Sequence, residues 1–187
     1  MKKRITLNVL YVDPDDDSRA ARAAQKVVLE EIYLVEAKTW RRPGIIPPEV
    51  LALQHKGSTE IIYPKEYKGR SDLYCTLCKF WVTAIKDKSP NKPVMKIEAS
   101  FYTSFSYDLD DPDFKGFNPN DPEEEDYYLF QDLARYLFEV TPTSTAWPYW
   151  REFVQNMSAR MGFPALMVPL LEIVPKKLEE IDLDDFQ

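Results

Sequence analysis

The stretch "VMKIEASFYTSFSYDL" alternates more strictly than any other part of the chain. Met95, Ile97, Ala99, Phe101, Thr103, Phe105 and Tyr107 fall on one side. Lys96, Glu98, Ser100, Tyr102, Ser104 and Ser106 fall on the other. Side chains of an extended strand point alternately to opposite faces, so this period-two pattern belongs to a sheet with one covered and one wetter face. A chain that contains it must build a sheet and then find something to cover one side.

The preceding segments supply the partner strands. Asp72 to Ile85 reads as a long strand, followed by the turn-forming "KDKSPNKP". In "KVVLEEIYLVEAKTW" helix and strand signals compete; the β-branched and aromatic residues favour a strand from Val27 to Thr39. A short strand is expected from Glu60 to Tyr63. Between them, "RRPGIIPPEVLALQHKGS" reads as a proline-rich connection with apolar residues stranded at Ile45, Ile46, Val50, Leu51 and Leu53. Connections of that length usually carry function. Ahead of the first strand, "SRAARAAQ" is short and helix-prone.

The cover is helical. Asp121, Pro122 and Glu123 to Glu125 form a helix start, predicting a helix to Glu139. At about 100° per residue, Tyr127, Leu129, Phe130, Leu133, Ala134, Leu137 and Phe138 occupy more than half of its circumference. That width implies two covered sides, one on the sheet and one on something else. A second helix follows in "TAWPYWREFVQNMSARMGFPALMVPLL", with Thr145 as cap and Pro148 tolerated in the first turn. Trp147, Tyr149, Trp150, Phe153, Val154, Met157 and Met161 fill an arc of roughly 160°. Gly162 takes the left-handed stop and Pro164 forbids continuation. Strands followed by helices segregated to one side make an α+β domain. The length of 187 residues suits a single domain. Residues 1–26 form an N-terminal extension, 27–108 the sheet, 120–163 the two helices and 172–187 a loosely held acidic tail.

The formal net charge of -7 disfavours nucleic acid. No apolar run approaches the roughly 20 residues of a membrane span, and "ITLNVLYV", broken by Asn8, falls short of a secretory signal. The expected location is the cytoplasm. No phosphate loop, G-x-S-x-G or H-E-x-x-H motif is present, so no catalytic residue and no cofactor are assigned. Cys75 and Cys78 make the one C-x-x-C. Inside a strand, positions three apart face opposite ways, so the pair cannot share a metal or close an unstrained disulfide. No metal site is expected, and His55 stands alone in a polar stretch.

The order of elements, with Trp147-Pro148-Tyr149-Trp150-Arg151-Glu152 and Gly162-Phe163-Pro164-Ala165-Leu166, resembles the SecB-type protein-export chaperone family. The resemblance implies a four-stranded antiparallel sheet with two C-terminal helices packed on one side. It also implies assembly as a dimer of dimers and ATP-independent holding of unfolded or partly folded polypeptides. The export translocase motor, or a single partner such as a toxin–antitoxin component, would be the further partners. On this reading Trp40, Ile45, Ile46, Leu51, Trp81, Trp150, Met157, Met161 and Phe163 contact clients, and Leu129, Phe130, Leu133, Leu137 and Phe138 build the oligomer. For Trp40 and Trp81 a place in the core competes with a place in the groove. For Trp147, Tyr149, Phe153 and Val154 packing on the sheet is the plainer reading, and for Arg151 and Glu152 a solvated helix face.

Overall fold

Four antiparallel strands form the sheet that the alternation demands. A computed structural model of the chain describes residues 9–12, 19–44, 52–62, 70–85, 93–115, 133 and 135–175. In chain order its elements are β1 (Val9–Val12), α1 (Arg19–Lys26), β2 (Val28–Arg41), β3 (Ala52–Ile62), β4 (Leu73–Ile85), β5 (Pro93–Ser106), α2 (Thr141–Arg160) and β6 (Glu172–Pro175). A 3-10 turn at Pro112–Phe114 and a π-helical turn at Tyr136–Val140 lie between β5 and α2. The main sheet runs β2-β5-β4-β3, with every neighbour antiparallel.

Cross-strand register sorts the side chains as the period predicts. Phe80 pairs with Ala99 and Val82 with Ile97, beneath α2. Trp81 opposite Glu98 and Lys79 opposite Ser100 face the other way. Trp147, Trp150 and Val154 of α2 are buried on the covered face with Phe80, Val82, Met95 and Ile97. Phe80 is the centre of that core, stacked on Trp150 at 5.7 Å and meeting Trp147 edge-on at 5.6 Å. Each such buried side chain contributes about 2–3 kcal/mol. A second cluster, around Tyr74, Phe105, Tyr107, Phe114, Leu137 and Phe138, is closed by Ala20 and Ala23 of α1.

Several expectations change. The strand expected only from Glu60 begins at Ala52, so Leu53 to Gly57 lie in β3 rather than in a connection. The first C-terminal helix lies largely outside the described residues, and its end runs through the π-helical turn straight into α2. Thr145 is therefore inside α2 and caps nothing. Pro142 explains the junction. A proline ring collides with the carbonyl four residues back, and here the Thr141 N–H reaches the Tyr136 carbonyl, five residues back. Ser158, which lies outside the apolar arc, is buried; it donates to the Gln155 carbonyl at 3.0 Å and accepts the Leu166 N–H at 2.9 Å.

The helix stop behaves as read. Gly162 has φ +78°, the Phe163 N–H bonds the Ser158 carbonyl and the Gly162 N–H bonds the Ala159 carbonyl. This double bond pattern satisfies carbonyls that the helix end would otherwise orphan. Beyond it the chain turns back along α2, burying Phe163, Leu166 and Val168. The Trp147 indole N–H donates to the Pro169 carbonyl at 3.0 Å and Arg151 Nε to the Val168 carbonyl at 2.9 Å. The segment then enters β6, which pairs in parallel with β1. The tail expected to be loose from residue 172 is thus a strand as far as Pro175; 176–187 lie outside the described residues.

Candidate functional site

β2 is paired along one side only, with β5, and leaves its outer edge open among the described residues. A strand there normally carries charge outward and hides its apolar residues. β2 instead exposes Val28, Leu29, Tyr33, Leu34, Val35 and Trp40. Its register slips by one at Glu30 and again at Val35, so each is an inserted residue with no place in the β5 ladder. After these slips Ile32, Leu34, Ala37 and Thr39 share the α2 side with Phe101 and Ala99, while Tyr33, Lys38 and Trp40 share the open side with Tyr102 and Glu98.

The α2 side of this edge is a groove of about 250 Å³. It is lined by Ile32, Leu34 and the intervening Tyr33 of β2, by Phe101 of β5 and by Tyr149, Glu152, Phe153 and Asn156 of α2. The arrangement follows from helix and strand periods. Tyr149, Glu152, Phe153 and Asn156 are spaced three and four apart and form one stripe of α2. That stripe leans towards β2, while Trp147, Trp150 and Val154 point down into the core. Tyr149 is 48% exposed and Trp150 1% exposed, although they are adjacent in sequence. Apolar walls, a strand edge open among the described residues and a carboxylate and a carboxamide at the rim suit an extended polypeptide.

At the far end of β2, Arg41 Nη1 donates to the Met161 carbonyl and its guanidinium lies 5.3 Å from the Phe163 ring centroid. This ties the edge strand to the end of α2. A Cβ on Gly162 would lie 3.2 Å from Arg41 Nη1, so the glycine serves both the backbone turn and the close approach.

The open sheet face has a different character. Lys79 pairs with Glu60 at 2.6 Å, Lys38 with Glu36 at 2.7 Å, and Lys96 with Glu98. Tyr33 stacks on Tyr102 at 4.7 Å. Cys75 lies on this face, accepting from the Tyr102 hydroxyl at 3.1 Å, whereas Cys78 is in the core under α2; both are free thiols. Burial pushes the Cys78 thiol up to about 12. Among the described residues no three His, Cys, Asp or Glu side chains gather as a metal site, and no helix is long and apolar enough to cross a membrane.

The residues assigned from sequence are dispersed. Trp150 and Phe163 are core residues and offer no surface to a client in this conformation. Trp40 is exposed on the open face of β2, Trp81 is half-buried on the same face, and Met157 and Met161 are half-buried against the core. Leu133, Leu137 and Phe138 are buried within the chain itself, under α1, so a partner subunit is not needed to cover them. Ile45, Ile46, Leu51, Leu129 and Phe130 lie outside the described residues. The groove residues Ile32, Leu34, Phe101 and Asn156 were not singled out. For Ile32 and Leu34 the signal was the apolar content of a strand with charges on both sides.

No protein-family model matches the chain, and no curated protein matches it in sequence. Among solved structures it is similar to the Mycobacterium tuberculosis Rv1957 SecB-like chaperone in complex with a ChAD peptide from the Rv1956 HigA1 antitoxin. That match has a TM-score of 0.60 at 16% identity and covers 82% of this chain and 96% of that one. A protein of unknown function from Streptococcus agalactiae aligns with a TM-score of 0.33 at 8% identity, over 78% of this chain and 98% of that one. The likeness to the first is one of fold: a four-stranded antiparallel sheet with a C-terminal helix packed on it, as in a SecB-like chaperone.

Proposed function

We propose that this protein is an ATP-independent chaperone that holds non-native polypeptides along β2 and the groove beside it. The observation that carries the reading is the apolar outer edge of β2, open among the described residues, next to a groove walled by Ile32, Leu34, Phe101 and Phe153. Shared fold with a chaperone solved together with a peptide supports it. An extended client would add a strand to β2 through its backbone and place alternate apolar side chains in the groove. Neither feature reads a particular sequence, which suits a holdase more than an enzyme.

Assembly as a dimer of dimers in the cytoplasm is expected from the family resemblance alone. The export translocase motor is a partner expected from the family resemblance alone. A dedicated adaptor for one partner, such as an antitoxin component, is the competing reading. Light scattering of the purified protein with several chemically denatured proteins of unrelated sequence decides between them. Suppressed aggregation of all of them without ATP supports the holdase. Binding of one peptide class with no effect on the rest points to the adaptor, and no effect on any denatured protein refutes the proposal.

A further inference from the structure

Within the groove lining, Asn156 is the residue that a purely apolar site would not need. It is exposed inside α2, where asparagine is one of the poorer helix formers. Tyr149 and Phe153 of the same stripe supply apolar wall, and Glu152 supplies a carboxylate. Neither Asn156 nor Glu152 has a hydrogen-bond or ion-pair partner among the described residues.

The carboxamide is carried on a helix that is held in place. Val154 and Ser158, two residues to either side, are wholly buried, and Ser158 bonds both the Gln155 carbonyl and the Leu166 N–H. Rolling α2 about its axis would break that packing. Five residues beyond Asn156, about 7.5 Å along the axis, the Met161 carbonyl accepts from Arg41 of β2. The spacing between β2 and α2 is thus set close to Asn156.

An extended chain laid against β2 bonds it with every second residue and turns the N–H and C=O of the residues between away from it. Apolar walls strip water from those groups, and each one left without a partner costs much of what apolar burial contributes. In an extended residue the N–H and C=O point the same way. A primary carboxamide offers an acceptor and a donor side by side and matches that pair, whereas an ionised carboxylate only accepts. Every residue except proline presents the same pair, so a contact of this kind holds a client without reading its side chains.

We propose that Asn156 is the client-backbone anchor of the groove: its carboxamide accepts from the N–H and donates to the C=O of one client residue that is turned away from β2. The occupant is the main chain of an extended polypeptide, so the inference rests on the chaperone reading. It names the group that would make the site indifferent to sequence.

The test uses the full-length protein and two probes read by fluorescence anisotropy. One is a labelled, denatured model protein; the other is a labelled apolar peptide made with each backbone amide N-methylated in turn. Asn156→Leu keeps the size of the side chain and enlarges the apolar wall. It should nevertheless weaken both probes about fivefold to tenfold, the loss of two hydrogen bonds, with the urea midpoint unchanged. Asn156→Ala should do the same, and Asn156→Gln should restore part of the affinity. In the wild type, methylation of one amide among those turned from β2 should weaken the peptide severalfold, and that penalty should vanish in Asn156→Ala. Equal or tighter binding by Asn156→Leu, or one methylation profile shared by wild type and Asn156→Ala, overturns the anchor while wild-type binding leaves the chaperone reading intact. A wild type that binds neither probe sinks the chaperone reading and the anchor with it.

Discussion

Tyr149 and Trp150 should have opposite jobs, and substituting each alone separates them. A tyrosine buries about 150–250 Å² when wholly covered. With Tyr149 48% exposed, roughly 100 Å² is still open to a client. At about 25 cal/mol per Å², complete cover would contribute about 2.5 kcal/mol, and cover of half that area about 1.2 kcal/mol. Tyr149→Ala should therefore weaken client binding about fivefold to tenfold. Its effect on folding should stay within about 0.5 kcal/mol, since the side chain supports no core residue. Trp150, 1% exposed and stacked on Phe80, predicts the reverse. Trp150→Ala should cost about 3–5 kcal/mol of stability, a large share of the roughly 5–15 kcal/mol that a domain has. Urea denaturation gives the stabilities, and fluorescence anisotropy of a labelled, unfolded client gives the affinities. Unchanged affinity for Tyr149→Ala, beside weakened affinity for a stably folded Trp150→Phe, would refute the placement of the site.

Gly162→Ala should destabilise by about 1 kcal/mol, the left-handed backbone cost less the gain from a stiffer unfolded chain. It should also push Arg41 from the Met161 carbonyl, read as faster exchange at the end of α2 in urea-free buffer. Cys75 and Cys78 should resist a thiol reagent in the native state and both react once denaturant unfolds the sheet; a fast-reacting thiol in buffer would contradict their burial. His55 titrates below its ordinary value because burial disfavours its charged form. Its neutral form therefore favours the folded state: that stability is full above about pH 6.5 and is lost as pH falls through the unfolded and then the folded pKa. In His55→Leu this slope between about pH 7 and 5 should vanish from urea midpoints, and a slope identical to wild type would show that other groups carry it.

The elements legible in the sequence are those where one physical rule acts alone. In β5 the period sets which way each side chain points, and the opposed directions of Cys75 and Cys78 follow from it; it does not set exposure, since Tyr102 and Ser104, read on the wetter face, are buried. The stop at Gly162 is equally local. β3 was legible only at one end because "LQHKGS" mixes polar residues with a glycine, although its alternate residues Leu53, His55, Gly57, Thr59 and Ile61 are half-buried or buried. The start of α2 was misread because Pro142 and Pro148 both fit a first helical turn, and only the register change at Tyr136–Val140 decides between them. The site was harder still. An arc of apolar residues gives a direction, not a depth, and whether a residue in it meets core or solvent depends on where β2 ends its cover. Tyr149 and Trp150 differ by 100° on the helix, and that rotation decides everything about them.

The exposed edge of β2 poses a conflict that its sequence resolves. An apolar edge strand of this length, open on one side among the described residues, should recruit other chains without limit. The slips at Glu30 and Val35 divide it into Val28–Leu29, Glu31–Leu34 and Glu36–Arg41. A regular strand cannot pair across these breaks without a bulge of its own, because each inserted residue shifts the ladder and turns the strand. Glu31, Glu36 and Lys38 on the open side add charge that a stacked sheet would have to desolvate. An extended client can therefore satisfy one segment at a time, over a few residues, while its apolar side chains reach the groove beside Ile32 and Leu34. Short pairing limits affinity and permits release, and it discourages the long, flat ladders from which aggregates grow. The interruptions that weaken β2 as a strand are thus what would make it usable as a reversible site.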